Sequence, residues 1–365
     1  MVKLTIARSA NSSVVQSQPL VAVFSGGTNG IGLTTLKALA ASHSTTGKGL
    51  RVYIIGRNQK ATEKIIADCL SLCPQGDFRF VRTSDLALLK EVDRVCEEIT
   101  KAERACAANG DKPRVDMLFM SQGELSLEPY TRNAEGLEFR VSLLYYSRMK
   151  IILNLLPLLL ESNLPAHVVS VFAAGKEGEL PLDDLSMRDP KHRGLVSTRS
   201  TVTYMTTFFF EWLASQHAGK LSLVHVFPGL ILTDSVRSMP LWARTLWWIL
   251  RPALSLFCTS VEECGERILF LANPARFPAG STQGETGVST PGSNSTPVQG
   301  LAPAMGTDLK RGSGAYGVNL DGETMSESQI HKSYDRHRAN DVGGKVVAHT
   351  VKAFEEIKAG RAFKD

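Results

Sequence analysis

The sequence predicts an α/β fold: a doubly wound parallel sheet covered by helices on both faces. Three observations predict it. Short apolar runs alternate with helical segments, the runs are continuously apolar, and the first of them enters a glycine cluster that opens a helix. Strands buried on both faces carry no polar side, so they stand out as unbroken apolar stretches. Strands separated by helix-length segments favour parallel pairing through crossovers.

The elements follow in order. Leu20 to Phe24 is the first apolar run, and Ile31 to Ser42 behind the glycines has helical periodicity. Leu50 to Ile55 and the amphipathic stretch Thr62 to Leu72 repeat the unit. Phe78 to Val81 with Leu86 to Cys106 is a third unit, and Val115 to Met120 with the apolar helix Gly136 to Leu160 a fourth. Val168 to Val171, a helix from about Thr198 to Ser215, and Leu221 to Val226 complete the pattern. These elements place the main domain at 19–277, behind an N-terminal extension at 1–18.

Past Pro274 the texture changes. Residues 278–314 are dominated by Gly, Ser, Thr and Pro, which bury too little apolar surface to offset their ordering entropy, so a disordered insertion is expected there. Ala315 to Leu320 is expected as a strand and Lys345 to Ile357 as a helix, in an appended tail (315–365) that packs back on the core.

Composition narrows the function classes. The 365 residues are 43% hydrophobic and 21% charged, which suits one large globular unit with an appendage. The formal charge is +5 with no dense Lys/Arg run, which argues against nucleic-acid binding. The six cysteines show no zinc-type pairing, so no metal site is expected. Met1 to Gln18 lacks the apolar core of a secretory signal, and a reducing, cytoplasmic setting is expected.

The chemistry begins at Ser25-Gly26-Gly27-Thr28-Asn29-Gly30-Ile31-Gly32. Gly26 permits a tight turn, Gly30 lets backbone approach a pyrophosphate, and Gly32 lets helix and strand pack closely. The helix that follows presents unpaired N–H groups and a positive dipole end to phosphates. This is a Rossmann-type dinucleotide site. The second strand then ends Ile55-Gly56-Arg57-Asn58, with no acid to accept from the ribose hydroxyls of NAD. A guanidinium pairs with a ribose phosphate in a forked geometry, so Arg57 favours NADP(H).

With these residues the chain resembles the short-chain dehydrogenase/reductase superfamily. Ser25-Gly26-x3-Gly30-x-Gly32 is similar to its Thr-Gly-x3-Gly-x-Gly signature, with Asn29 and Ile31 inside the loop. Ser84-Asp85-Leu86 resembles its adenine-contacting element, and Gly123 ends the fourth strand where its Asn-Asn-Ala-Gly would end. Pro228-Gly229-x3-Thr233 resembles the element that the resemblance places against the nicotinamide carboxamide. Tyr145-Tyr146-Ser147-Arg148-Met149, Gly175-Lys176-Glu177-Gly178 and Asp183-Asp184-Leu185 are similar to a branch common in fungal specialised metabolism.

The family's Asn-Ser-Tyr-Lys tetrad is not found. The helix Asn position falls on Ser142, the fifth strand reads Val171-Phe172-Ala173, and the Tyr and Lys positions fall on about Arg199 and Thr203. A Tyr-x3-Lys occurs instead on the preceding helix, where Ser142, Tyr146 and Lys150 share one face. Tyr146 is thus a candidate proton donor, or a structural tyrosine. Lys176, with Glu177, is the other candidate, or half of a solvated loop pair.

Leu241 to Cys258 is apolar and carries Trp242, Trp247 and Trp248. Arg244, Arg251 and Pro252 within it argue against a membrane-spanning helix. By resemblance, 234–260 is a substrate lid, and its tryptophans suit a hydrophobic small-molecule substrate. They also suit peripheral contact with a membrane surface through 241–258, or burial as core helices. The expected function is an NADPH-dependent oxidoreductase acting on a hydrophobic carbonyl or polyketide-like molecule. A cofactor-binding pseudo-enzyme and a non-redox isomerase or dehydratase remain alternatives, since function is carried by the site rather than the fold. The sequence leaves the oligomeric state open.

Overall fold

The computed structural model describes every residue except 1, 108–109, 111, 124–129, 230, 232–244, 246–247, 249–258 and 282–300. Seven parallel strands form one sheet in the order β3-β2-β1-β4-β5-β6-β7. These are β1 (Leu20–Ser25), β2 (Leu50–Gly56), β3 (Asp77–Arg82), β4 (Met117–Met120), β5 (Ala166–Val171), β6 (Leu221–Val226) and β7 (Ala315–Val318). The strand order reverses between β1 and β4, so the carboxyl ends of those strands border the crevice in which open α/β sheets bind ligands.

Helices α1 (Leu4–Ser17), α2 (Gly30–His43) and α3 (Gln59–Leu72) are joined by α4 (Leu89–Ala107), α5 (Phe139–Leu160) and α6 (Leu195–Gln216). α7 (Val261–Phe270), α8 (Glu327–Ala339) and α9 (Val342–Lys358) follow. Two apolar cores lie on opposite faces of the sheet, one built with α4, α5, α6 and α9, the other with α1, α2 and α7. Phe24 and Phe119 stack at 4.8 Å within the second. By length and composition α5 is apolar enough to cross a bilayer, but its apolar surface packs on β5 and α4.

Three expectations change in detail. The N-terminal extension folds as helix α1, and Asn11 Nδ2 donates to the Glu266 carbonyl at 3.1 Å, tying α1 to α7. The tail holds an additional helix, α8, started by a reciprocal capping box between Ser326 and Gln329. The third concerns the expected disordered insertion at 278–314. Residues 282–300 of it lie outside the described residues, but 278–281 and 301–314 fold.

Ala304 N donates to Arg276 O at 2.8 Å, Thr307 N to Ala315 O at 3.0 Å, and Tyr316 Oη to Pro278 O at 2.6 Å. Ala304 and Thr307 are buried. The composition argument fails here because this segment is ordered through backbone pairing beside β7 rather than through large apolar side chains. Gly312 and Gly314, at φ +71° and +90°, make the reversal that permits it.

Candidate functional site

The site begins where β1 gives way to α2. Asn29 caps that helix, its Oδ1 accepting from Gly30 N at 2.8 Å, so the next N–H groups face the crevice. Gly26 has φ +85°, and a Cβ there would lie 2.6 Å from the Gln122 nitrogen. A Cβ on Gly32 would collide with the Gly26 carbonyl and the Ser121 hydroxyl. The loop therefore admits no side chain at two of the three signature glycines, and its backbone is left open to a pyrophosphate. Ser25 is buried at the end of β1 and its hydroxyl has no partner; Ile31 is half-buried in the first turn of α2.

One half of the crevice lies over β2 and β3. Arg57 is exposed just past β2, and with Arg82, Thr83, Ser84, Glu91 and Arg94 it lines an open pocket of about 470 Å³. That volume falls in the range of small-molecule sites. Arg94 is committed elsewhere, donating to Glu91 at 2.8 Å and Glu98 at 2.9 Å, which holds the Glu91 carboxyl down at about 2. Among the described residues Arg57 and Arg82 have no carboxylate partner, so two of the three guanidinium groups can meet a ribose phosphate. Arg82 was not singled out in the sequence, although it ends β3 as Arg57 follows β2. Asp85 accepts from Ala87 N at 2.9 Å and holds the turn after β3.

The other half of the crevice lies over β4, β5 and β6. Gly123 is exposed past β4, and Pro228 and Gly229 are half-buried past β6, with Gly229 at φ +81°. Thr233 and nearly all of the expected lid, including most of 241–258, lie outside the described residues. Thr203 Oγ1 reaches the Ala173 carbonyl at 3.3 Å. Thr203, at about the position expected for the family's lysine, thus spends its hydroxyl on a backbone carbonyl past β5.

The helical Tyr-x3-Lys does not replace them. Tyr146 is buried, and its hydroxyl pairs at 2.6 Å with His349 Nε2 of the tail helix α9. Burial raises its pKa, which weakens it further as an acid. Lys150 pairs with Asp93 at 3.1 Å, and Ser142 Oγ donates to Ala87 O at 2.6 Å. Tyr146 is thus bound to the tail, Lys150 to α4 and Ser142 to the turn between β3 and α4. Lys176 does stand at the crevice, its ammonium 4.6 Å from the centre of the Phe227 ring past β6. Beside it the Glu177 carboxylate accepts from Tyr334 Oη at 2.6 Å and from Gly175 N at 3.1 Å, while burial raises its pKa.

A buried polar group that sequence reasoning missed lies under this half. Arg148 Nη1 donates to Ser170 Oγ at 2.8 Å and Val171 O at 2.9 Å, and Nη2 donates to Gln122 O at 2.6 Å. His225 accepts from Ala173 N at 3.1 Å, and burial pushes its pKa down to about 3. Arg148 Nε, His225 Nδ1 and both amide atoms of Gln122 have no partner among the described residues. The available signal was an arginine in the middle of the apolar helix Phe139–Leu160. Among the described residues no cluster of His, Cys, Asp and Glu is arranged for a metal ion.

No protein-family model matches the chain. It is 35% identical over 359 residues, 98% of each chain, to the short-chain dehydrogenase/reductase SAT2 of Stachybotrys chartarum. It is 33% identical to oxidoreductase AN1596 of Emericella nidulans, over 92% of this chain and 93% of that one. The fold is similar to L-sorbose reductase of Gluconobacter frateurii in complex with NADPH and L-sorbose. That match has a TM-score of 0.51 at 17% identity and covers 71% of this chain and 91% of the other. A 3-oxoacyl (acyl-carrier-protein) reductase of Agrobacterium tumefaciens with NADP bound also gives 0.51 at 17% identity, over 72% and 90%. With glycine loop, strand order and full-length relatives in agreement, the chain belongs to the short-chain dehydrogenase/reductase family.

Proposed function

We propose that this oxidoreductase uses NADPH to reduce a hydrophobic carbonyl or polyketide-like small molecule in the cytoplasm, within specialised-metabolite biosynthesis. The observation that carries the cofactor part is the glycine cradle, whose closed Cβ positions leave backbone N–H groups facing the crevice. The unpaired Arg57 and Arg82 support the phosphorylated form of the cofactor, as do the reductases of similar fold that carry NADP or NADPH. The tryptophan-rich sequence of 241–258 supports a lid over an apolar substrate, and contact with a membrane surface through the same stretch.

When bound, NADPH supplies the hydride for the carbonyl carbon. The protein holds the phosphates at the α2 N-terminus, excludes water with the lid, and delivers a proton to the carbonyl oxygen. Lys176 is the donor this geometry favours, with Glu177 beside it. Positioned proton transfer contributes about 10²–10⁴-fold to such a step. Alignment of hydride and carbonyl supplies acceleration by proximity even where the acid is weak.

The direct experiment follows NADPH oxidation by the purified protein against a panel of aromatic and polyketide-like ketones. Turnover that falls in Lys176→Ala with NADPH binding retained supports the reading. Binding without turnover of any carbonyl favours a cofactor-binding pseudo-enzyme. Arg57→Ala should weaken NADPH by about 1–3 kcal/mol, the range for a hydrogen bond to a charged group, and leave NADH unchanged. Equal affinities for NADPH and NADH in the parent protein overturn the phosphate assignment.

A further inference from the structure

We propose that Arg148 biases the crevice toward the reduced cofactor. Its buried guanidinium holds the carboxyl ends of β4 and β5 at positive potential, so the neutral dihydronicotinamide binds more tightly than the cationic nicotinamide. The inference rests on the nicotinamide-cofactor reading of the glycine loop.

Arg148 is among the largest fully buried side chains, and a buried cation ordinarily has a carboxylate beside it. Arg148 has none. Its acceptors are the Ser170 hydroxyl and the carbonyls of Val171 and Gln122. Burial lowers its pKa to about 9, with no acid acting against that shift, so the group stays protonated at neutral pH. The aromatic face of Phe172 lies 5.9 Å from it, and neutral His225 stacks on the same ring. Among the described residues no acidic group cancels the guanidinium charge.

Its place in the fold gives that charge a consequence. The pyrophosphate belongs at the β1–α2 turn, and the pocket of Arg57 and Arg82 occupies the β2–β3 side. The opposite end of a dinucleotide then extends over β4, β5 and β6, the edge that Arg148 underlies. A reduced nicotinamide is neutral, whereas the oxidised ring carries a full positive charge. At an effective dielectric of about 20, like charges within about 10 Å of each other repel enough to change affinity about tenfold or more. The adenosine, ribose phosphate and pyrophosphate are common to both forms, so their contributions cancel in the ratio of affinities.

The test measures dissociation constants of NADPH and NADP+ by calorimetry, for the parent protein and for Arg148→Met, Arg148→Lys and Ser170→Asp. The parent should bind NADPH about tenfold more tightly than NADP+, and the ratio should persist at high salt because the charge is buried. Arg148→Met removes the charge, and Ser170→Asp places a counter-charge beside it. Both should bring the ratio toward one, while Arg148→Lys keeps it. Should Arg148→Met fail to fold, Ser170→Asp and the parent ratio decide the matter. A parent ratio at or below one, or a ratio unmoved by removing or cancelling the charge, overturns the inference. Failure of both cofactor forms to bind the parent would instead overturn the cofactor reading itself.

Discussion

The two halves of the crevice differ in kind. Over β1 to β3 the loop glycines keep the spacing of the family signature, with the Asn29 cap and the strand-end arginines Arg57 and Arg82 beside them. Over β4 to β6 the positions expected for Ser, Tyr and Lys hold Ala173, Arg199 and Thr203, and beneath them lies the buried set of Arg148, Gln122 and His225. The first half is constrained by backbone sterics, where almost any added atom collides. The second is constrained by proton chemistry, which several side chains can perform from different positions. One fold can therefore keep its nucleotide site while its catalytic groups are exchanged.

Acid should separate the halves most strongly. Burial pushes His167 of β5 down to about 4 and His225 of β6 down to about 3, from an ordinary value of 6.5. Both are neutral in the folded protein and take up protons readily once unfolded. Stability is therefore fully present above pH 6.5 and is lost as pH falls below it. Each contributes about 1.4 kcal/mol per pH unit, so together they cost roughly 4 kcal/mol at pH 5. Chemical denaturation at pH 7.5 and pH 5 measures this, and His225→Asn should flatten the dependence by about half. A pH-independent midpoint would mean that these histidines are solvated.

The glycine half should break sterically instead. Gly26→Ala places a side chain at φ +85° and against the Gln122 nitrogen. The left-handed backbone and the collision together cost roughly 2–4 kcal/mol, through stability, NADPH affinity or both. Thermal melts with and without NADPH divide the two contributions. Wild-type stability together with wild-type affinity would show that the loop has room to relax.

What the sequence revealed follows the same division. Continuous apolar runs and the glycine spacing predicted the sheet and the nucleotide loop, because both report local geometry. The absence of the tetrad was also read from the sequence, by counting positions along the chain. The sequence could not show that Arg148 reaches Gln122 and Val171, since these lie past β4 and at the end of β5, 26 and 23 positions from it in the chain. Nor could it show that Tyr146 meets His349, 203 positions away in the chain. Residues 301–314 misled for another reason: backbone hydrogen bonds order them, and composition does not record those bonds.

The smallest effect is expected at the one Tyr-x3-Lys in the chain, and it sharpens the comparison because it separates a motif from its function. Tyr146→Phe keeps the ring, its edge contact with Tyr145 at 5.2 Å and its packing near Phe354, and removes only the hydroxyl that pairs with His349. Losing one buried hydrogen bond costs about 0.5–1.5 kcal/mol, and the His349 ring left behind still has Asp365 at 3.3 Å on its other nitrogen. The melting temperature should therefore fall by a few degrees, while NADPH affinity and turnover stay at parental levels. A large loss of turnover at unchanged stability would mean that the hydroxyl reaches the crevice in the working enzyme. The tail helix would then have to move away from α5, and Tyr146 would take the place of Lys176 as proton donor.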